Sequence, residues 1–192
     1  MLKQGEVHVW RARRGVALGE ILARYLGRVP GRFEKGPHGK PRLAGENGWL
    51  RFNLSHSGDV TLIAVARDSE VGVDVERIRP VIEMHAIARR WLGRDDNADE
   101  QEFFRVWTRH EAMVKALGVG LSGAAESFDG FVAEIDAGPG YAAAAAVLAP
   151  NKMRQPGLAP FSKKGPYQAD AFYFQVLPWG ACSNSQPCPS CF

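Results

Sequence analysis

Two stretches decide how this chain reads: Val71-Gly72-Val73-Asp74-Val75-Glu76 and, further along, Trp107-Thr108-Arg109-His110-Glu111-Ala112-Met113-Val114-Lys115. In an extended strand, residues two apart share a face. Asp74 and Glu76 therefore point one way, and Val73 and Val75 point the other. In the second stretch Trp107, Glu111 and Lys115 recur at i, i+4 and i+8, which makes one stripe on a helix. A strand with two carboxylates opposite a helix with a third is a hard, oxygen-rich site. Such a site suits Mg²⁺, which binds through a few carboxylates and keeps water and substrate phosphate as its other ligands. Lys115, one turn from Glu111, is a ready phosphate partner. Plainer readings compete. Acidic residues can guard a strand edge against pairing, and a Glu111–Lys115 pair on a helix surface contributes only about 0.3–0.5 kcal/mol. Two carboxylates on one face, backed by valines and with no Lys or Arg between them, favour the site.

Working outward, Glu6 to Trp10 alternates as a first strand. Leu18, Ile21, Leu22, Tyr25 and Leu26 keep helical spacing, and Gly27 supplies a stop. Residues 30 to 48 read as loop, with Gly36-Pro37 and Gly39-Lys40-Pro41 as turn signals. Trp49 to Leu54, Val60 to Arg67 and Val71 to Glu76 read as strands, with Asp68-Ser69-Glu70 turning between the last two. Ile82 to Trp91 looks helical. Glu100 to Leu117 is the clearest helix, ending at Gly118. Phe128 to Ile135 reads as a strand. Tyr141 to Leu148 is ambiguous: its alanines favour helix by propensity, and we assign it as strand. Beyond residue 150 no clean period is visible, except a strand-like island from Ala171 to Leu177.

With 192 residues, 45% hydrophobic content, ten Phe and five Trp, the chain can bury a real core in one domain or two small lobes. A net charge of +3 is too weak to argue for nucleic-acid binding and is compatible with a basic pocket for a phosphorylated cofactor or an acidic protein partner. No apolar run reaches membrane-spanning length. The N-terminus lacks the apolar core of a signal peptide, so the expected location is the cytoplasm. Cys182, Cys188 and Cys191 sit at the C-terminus. Their CxxC has neither the four ligands of a structural zinc site nor a helix after it, and it reads as an incidental part of a tail.

The two opening segments resemble the signatures of the 4′-phosphopantetheinyl transferase family, surfactin-synthetase-activating type. Those signatures read roughly (V/I)G(V/I)D(V/I)E and W(S/T)xKE(A/S)xxKxxGxGL. Here they stand as Val71 to Glu76 and as Trp107 to Leu121, with His110 where the family usually has Lys. Gly39-Lys40-Pro41 is similar to the family's GKP, and Phe52-Asn53-Leu54-Ser55-His56-Ser57 to its FNxSHS. The resemblance covers about residues 5 to 148. An Arg-rich stretch of some thirty residues that family members carry after the first strand is missing.

The resemblance implies an α+β fold of two ferredoxin-like pseudo-repeat lobes. The N-terminal lobe, residues 1–70, is shortened and lies on the coenzyme A side. Residues 71–150 form the C-terminal lobe with the metal site and signature helix, and 151–192 an atypical, partly disordered extension. The implied reaction moves 4′-phosphopantetheine from coenzyme A to a serine of an acyl or peptidyl carrier protein, releasing 3′,5′-ADP. Asp74, Glu76 and Glu111 are the expected Mg²⁺ ligands, with Glu111 either a third ligand or the general base. The resemblance places Lys40 at the 3′-phosphate of coenzyme A and Ser55 and His56 on its phosphates. It also puts Arg14 near one of the cofactor-binding arginines, and Asp74 and Lys115 beside the pyrophosphate. The expected protein is a monomer that binds neither nucleic acid nor membrane. A different class of reading is a catalytically weakened member that binds coenzyme A or a carrier protein without turnover; the missing stretch and His110 point to it. A metal-dependent phosphohydrolase would share the acidic cluster but would have no use for the GKP and FNxSHS segments.

Overall fold

The computed structural model describes residues 2–15, 18–36, 39–93, 99–119, 128–149 and 173–178. It opens with strand β1 (Glu6–Arg13) and helix α1 (Leu18–Leu26). Ile21 and Leu22 of α1 are fully buried, with Leu18, Tyr25 and Leu26 packed beside them, so the helical spacing of the sequence becomes the buried stripe. Gly27 ends the helix at φ 70°, its N–H donating to Ala23 O at 2.8 Å. Two short strands follow, β2 (Phe33–Lys35) and β3 (Pro41–Leu43), paired antiparallel to each other. A 3₁₀ turn over Gly45–Trp49 leads into β4 (Leu50–Ser57), then β5 (Val60–Arg67) and β6 (Val71–Arg77). Residues 82 to 91, expected as one helix, form a short α2 (Met84–Ile87) and a π turn over Ala88–Leu92. Glu83, left-handed at φ 63°, starts that segment afresh. Helix α3 (Glu100–Leu117) follows, then β7 (Gly130–Glu134) and β8 (Tyr141–Leu148).

Two sheet layers result. The first has strand order β4-β5-β1, antiparallel throughout, with the parallel strand β9 (Tyr173–Pro178) added beside β1, and the second is antiparallel with order β6-β8-β7. In each, the first strand (β1 or β6) pairs with the second arm of a later hairpin (β5 or β8), and a helix lies between them in sequence. The sheets are lined on their facing sides by Val7, Val9, Leu62, Ala64, Val71, Val73, Val75, Ala143, Ala145 and Val147, one continuous buried core. The other face of the first sheet carries Trp10, Ile63, Val65 and Phe52 against α1. The other face of the second carries Ala144 and Ala146 against Ala112 and Ala116 of α3. Strand β5 is covered on both faces, which is why Leu62 to Ala66 reads as an unbroken apolar run.

Helix α3 is the most completely specified element. Asp99 caps it, its Oδ1 accepting the Glu102 N–H at 2.8 Å. Glu100 and Glu102 sit in the first turn and Lys115 in the last, as the helix dipole favours. Gly118 closes it at φ 69°. The helix lies directly on β6. A Cβ at Gly72 would collide with Ala112 O and Ala116 N, so backbone meets backbone there. The alanines of Tyr141 to Leu148 have the same cause. Their small side chains admit α3, and tertiary packing overrides their helical propensity.

Within the segment beyond residue 150, the strand-like island forms β9 (Tyr173–Pro178), parallel to β1 and in the first sheet. The three cysteines lie outside the described residues.

The Gly72 seam generates a direct test. Gly72→Ala forces helix and strand apart, and overpacking of this kind costs about 1–3 kcal/mol. The expected outcome is a clear fall in melting temperature by circular dichroism. An unchanged melting temperature would contradict the seam.

Candidate active site

Strand alternation sends Val71, Val73 and Val75 into the inter-sheet core and Gly72, Asp74 and Glu76 toward α3. Because Gly72 brings α3 so near, the helix lays Lys115 against Asp74. Lys115 Nζ donates to Asp74 Oδ1 at 2.6 Å and to Ser55 Oγ at 3.2 Å, and Ser55 Oγ donates to the same Asp74 oxygen at 2.8 Å. The Asp74 side chain is only 6% exposed. A buried carboxylate requires such a partner, since an unpaired charge there is strongly destabilising. Asp74 Oδ2 is buried and has no hydrogen-bond partner among the described residues.

Glu111 stands one turn before Lys115 on the same stripe. Its Oε1 is likewise buried without a partner. Burial, and then the neighbouring Asp74, hold its carboxyl above the ordinary glutamate value; Lys115 opposes that shift, and Glu76 adds to it slightly. The charges of Asp74, Lys115 and Glu76 thus all act on the Glu111 carboxyl. His110 is half-buried against Trp107, with Nε2 fully enclosed and unpartnered. Burial lowers its pKa, so it stays neutral near pH 7 and does not supply the charge of the lysine usual at that position. Trp107 packs on Phe103 with ring centroids 6.1 Å apart, in the cluster that also holds Ile78, Val81 and Met84.

The open edge of β6 is closed by β4 through side chains. Asn53 Oδ1 accepts the Val73 N–H at 2.9 Å, and Ser57 Oγ accepts the Arg77 N–H at 3.0 Å. Ser57 Oγ also lies 3.0 Å from Glu76 Oε2, to which it donates, and Arg79 donates to that same oxygen at 3.1 Å. Sequence reasoning assigned no role to Asn53, Ser57 or Arg79. The period-two spacing Asn53, Ser55, Ser57 was the signal for the first two.

Other expected residues stand apart from this group. Ser55 joins the carboxylates, but His56 leaves the opposite face of β4 and is exposed. Lys40 donates to Glu70 Oε2 at 2.8 Å and to Val71 O at 3.0 Å. Burial lowers its pKa, an effect that Glu70 opposes. It lines a pocket of about 230 Å³ with Arg42, Arg51, Pro41, Phe52 and Leu117. Arg42 and Arg51 had no role in the sequence reading. Arg14 is exposed at the end of β1, its N–H bonding Asp59 O at 3.1 Å.

Among the described residues, no three His, Cys, Asp or Glu side chains converge as a ready metal cage. The donor set nonetheless fits a hard divalent cation. Two buried carboxylate oxygens, Asp74 Oδ2 and Glu111 Oε1, lack any partner, and Glu76 takes both its hydrogen bonds on Oε2. No helix among the described residues is long and apolar enough to cross a membrane.

Comparison with known proteins finds one family. The family model described as the 4′-phosphopantetheinyl transferase superfamily matches residues 70–168, just over half of the chain. The 4′-phosphopantetheinyl transferase HetI of a Nostoc species is 39% identical over 125 residues, 58% of this chain and 52% of that protein. The 4′-phosphopantetheinyl transferase AcpT of Salmonella typhimurium is 38% identical over 108 residues, 51% and 55% of the two chains. The 4′-phosphopantetheinyl transferase psf-1 of Bacillus pumilus is 36% identical over 137 residues, 63% and 57%. The chain spans about half the length of the curated relatives it matches.

The raised Glu111 carboxyl has a consequence for stability. A carboxyl whose folded pKa is raised contributes stability below its unfolded value, near 4.5, and loses it as pH rises through the folded value. Ionised Glu111 therefore weakens the fold near neutral pH. With chelator present, Glu111→Gln is expected to melt higher than the parent at pH 7, with the gap closing toward pH 4. Parallel melting curves across that range would contradict the assignment.

Proposed function

The chain belongs to the 4′-phosphopantetheinyl transferase superfamily, and on that premise we propose that it transfers 4′-phosphopantetheine from coenzyme A to a serine of an acyl or peptidyl carrier protein, with Mg²⁺. The observation that carries this reading is the meeting of Asp74, Ser55, Lys115 and Glu111 at one place between β4, β6 and α3. We read the shared strand order of the two sheets as two related lobes, with the substrate between them. We take the protein as a cytoplasmic monomer that binds neither nucleic acid nor membrane.

Asp74, Glu76 and Glu111 would hold Mg²⁺. When bound, the ion neutralises the pyrophosphate and the charge that builds on the departing phosphate. Lys115 carries a cation on a flexible stem and can turn from Asp74 to a phosphate oxygen. Ser55, already within reach of Lys115, can follow it. Glu111 combines an unpartnered buried oxygen with raised proton affinity, the two properties a general base needs. It would take the proton of the carrier serine. The serine Oγ–phosphorus bond then forms as the bridging P–O bond breaks, and 3′,5′-ADP leaves with the bonding electron pair.

The pocket around Lys40 would take the adenosine 3′-phosphate end. Its chemistry suits that group: Lys40, Arg42 and Arg51 supply cations, and Pro41, Phe52 and Leu117 supply apolar surface. Glu70 is the one acid among the described lining residues, ion-paired with Lys40 at 2.8 Å and Arg51 at 3.5 Å.

Mass spectrometry of an apo carrier protein incubated with coenzyme A and Mg²⁺ tests the reading. A phosphopantetheine increment is expected with the parent protein and none with folded Asp74→Asn. No increment on carriers of either class would overturn the proposal and favour binding without turnover. The pocket has its own test. A charge-assisted contact is worth about 1.5–3 kcal/mol, so Lys40→Ala is expected to weaken coenzyme A roughly ten- to a hundredfold. Dephospho-coenzyme A, which lacks the 3′-phosphate, should be little affected. Equal weakening of both ligands by calorimetry would remove Lys40 from the 3′-phosphate.

A further inference from the structure

Ser57 lies outside the set of groups that touch substrate in the proposed reaction, yet its hydroxyl, like that of Ser55, is held by two hydrogen bonds. A backbone N–H can only donate, so the 3.0 Å contact with Arg77 N makes Ser57 Oγ the acceptor. A serine has one proton to give. With the backbone bond accepted, that proton points at Glu76 Oε2, which accepts it at 3.0 Å. The hydroxyl thus ties the main chain of β6 at residue 77 to the side chain of residue 76. Glu76 needs such a tie. It stands near the strand's end, its side chain is 27% exposed, and no residue of α3 bonds it among the described residues. Arg79 donates to the same oxygen, so both bonds fall on Oε2 and Oε1 is left facing no donor among the described residues. Asp74 shows the same arrangement further in: Ser55 and Lys115 both meet Oδ1, and Oδ2 stays unpartnered.

We propose that Ser57 is a positioning residue that orients Glu76 so that its Oε1 is presented to a divalent cation. Together with Ser55 it forms a hydroxyl pair on β4 that assigns one oxygen of each β6 carboxylate to the protein and leaves the other for the ion. The inference rests on the metal reading given above. Hydroxyls behind a ligating carboxylate act by restricting its rotation and by fixing which oxygen is available.

The test uses the full chain with coenzyme A and Mn²⁺ as the probe, followed by electron paramagnetic resonance. Ser57→Ala is expected to bind Mn²⁺ about tenfold to a hundredfold more weakly than the parent, the usual effect of removing a group behind a metal ligand. Its affinity for coenzyme A without metal should be unchanged. Ser57→Thr, which keeps the hydroxyl, should restore Mn²⁺ binding. On a Glu76→Ala background, Ser57→Ala should weaken Mn²⁺ no further. If Ser57→Ala does not fold, Ser57→Cys carries the same expectation, since a thiol is close in size and only a weak donor. Parent-like Mn²⁺ affinity in Ser57→Ala, failure of Ser57→Thr to rescue, or an undiminished effect on the Glu76→Ala background would each overturn the inference while leaving the metal reading in place. Absence of Mn²⁺ binding by the parent itself would overturn both.

Discussion

The contact between the backbone of β6 at Gly72 and the backbone of α3 at Ala112 and Ala116 is the constraint on which the rest depends. An ordinary helix-on-sheet distance would leave Lys115 and Glu111 above the strand and out of reach of its carboxylates. Here the missing Cβ, with Ala112, Ala116, Ala144 and Ala146 around it, removes the spacer. The helix settles onto the sheet, and a 2.6 Å ion pair forms between Lys115 and Asp74. The small residues are thus tied to the chemistry, since they set the distance across which the charged groups meet.

That closeness produces an unbalanced pocket of charge. Asp74 and Glu111 share the field of one lysine, and Lys115 answers only one oxygen of Asp74, while Glu76 is paired with Arg79. The remaining buried oxygens on Asp74 and Glu111 are desolvated without compensation, a costly state in a folded protein. The raised Glu111 carboxyl is the same imbalance seen through proton affinity. Sites that keep such an imbalance are candidates for function, because a ligand of opposite charge relieves it. A divalent cation together with an anionic pyrophosphate would satisfy both sides at once: the cation answers the free oxygens, and the pyrophosphate gives Lys115 a new partner.

Much of this was legible in the residues. The period-two pattern of Val71 to Glu76 gave the two faces of β6, and the span Glu100 to Leu117 matches α3 at both ends because its cap, charges and terminal glycine agree. Tyr141 to Leu148 required the tertiary partner, since only the presence of α3 explains a strand made of alanine. The break at Glu83 and the short local pair β2–β3 arise from backbone conformation that no hydrophobic period announces. His56 is instructive in another way. The motif grouped it with Ser55, but neighbours on a strand leave opposite faces, and alternation puts Ser57 beside the site and His56 away from it. The pairing of Lys40 with Glu70 depends on a contact distant in sequence, which composition does not reveal.

The central claim is that the carboxylates of β6 and α3 form one cation site and that Lys115 exchanges Asp74 for phosphate when substrate arrives. A crystal structure of the protein grown with coenzyme A and Mn²⁺ tests this most directly, through the anomalous signal of the metal. The account predicts a single strong peak bonded to Asp74 Oδ2, Glu76 Oε1 and Glu111, with Lys115 Nζ moved from Asp74 to a pyrophosphate oxygen. A metal peak remote from Asp74, or a pyrophosphate bound with the Lys115–Asp74 pair intact, would contradict it.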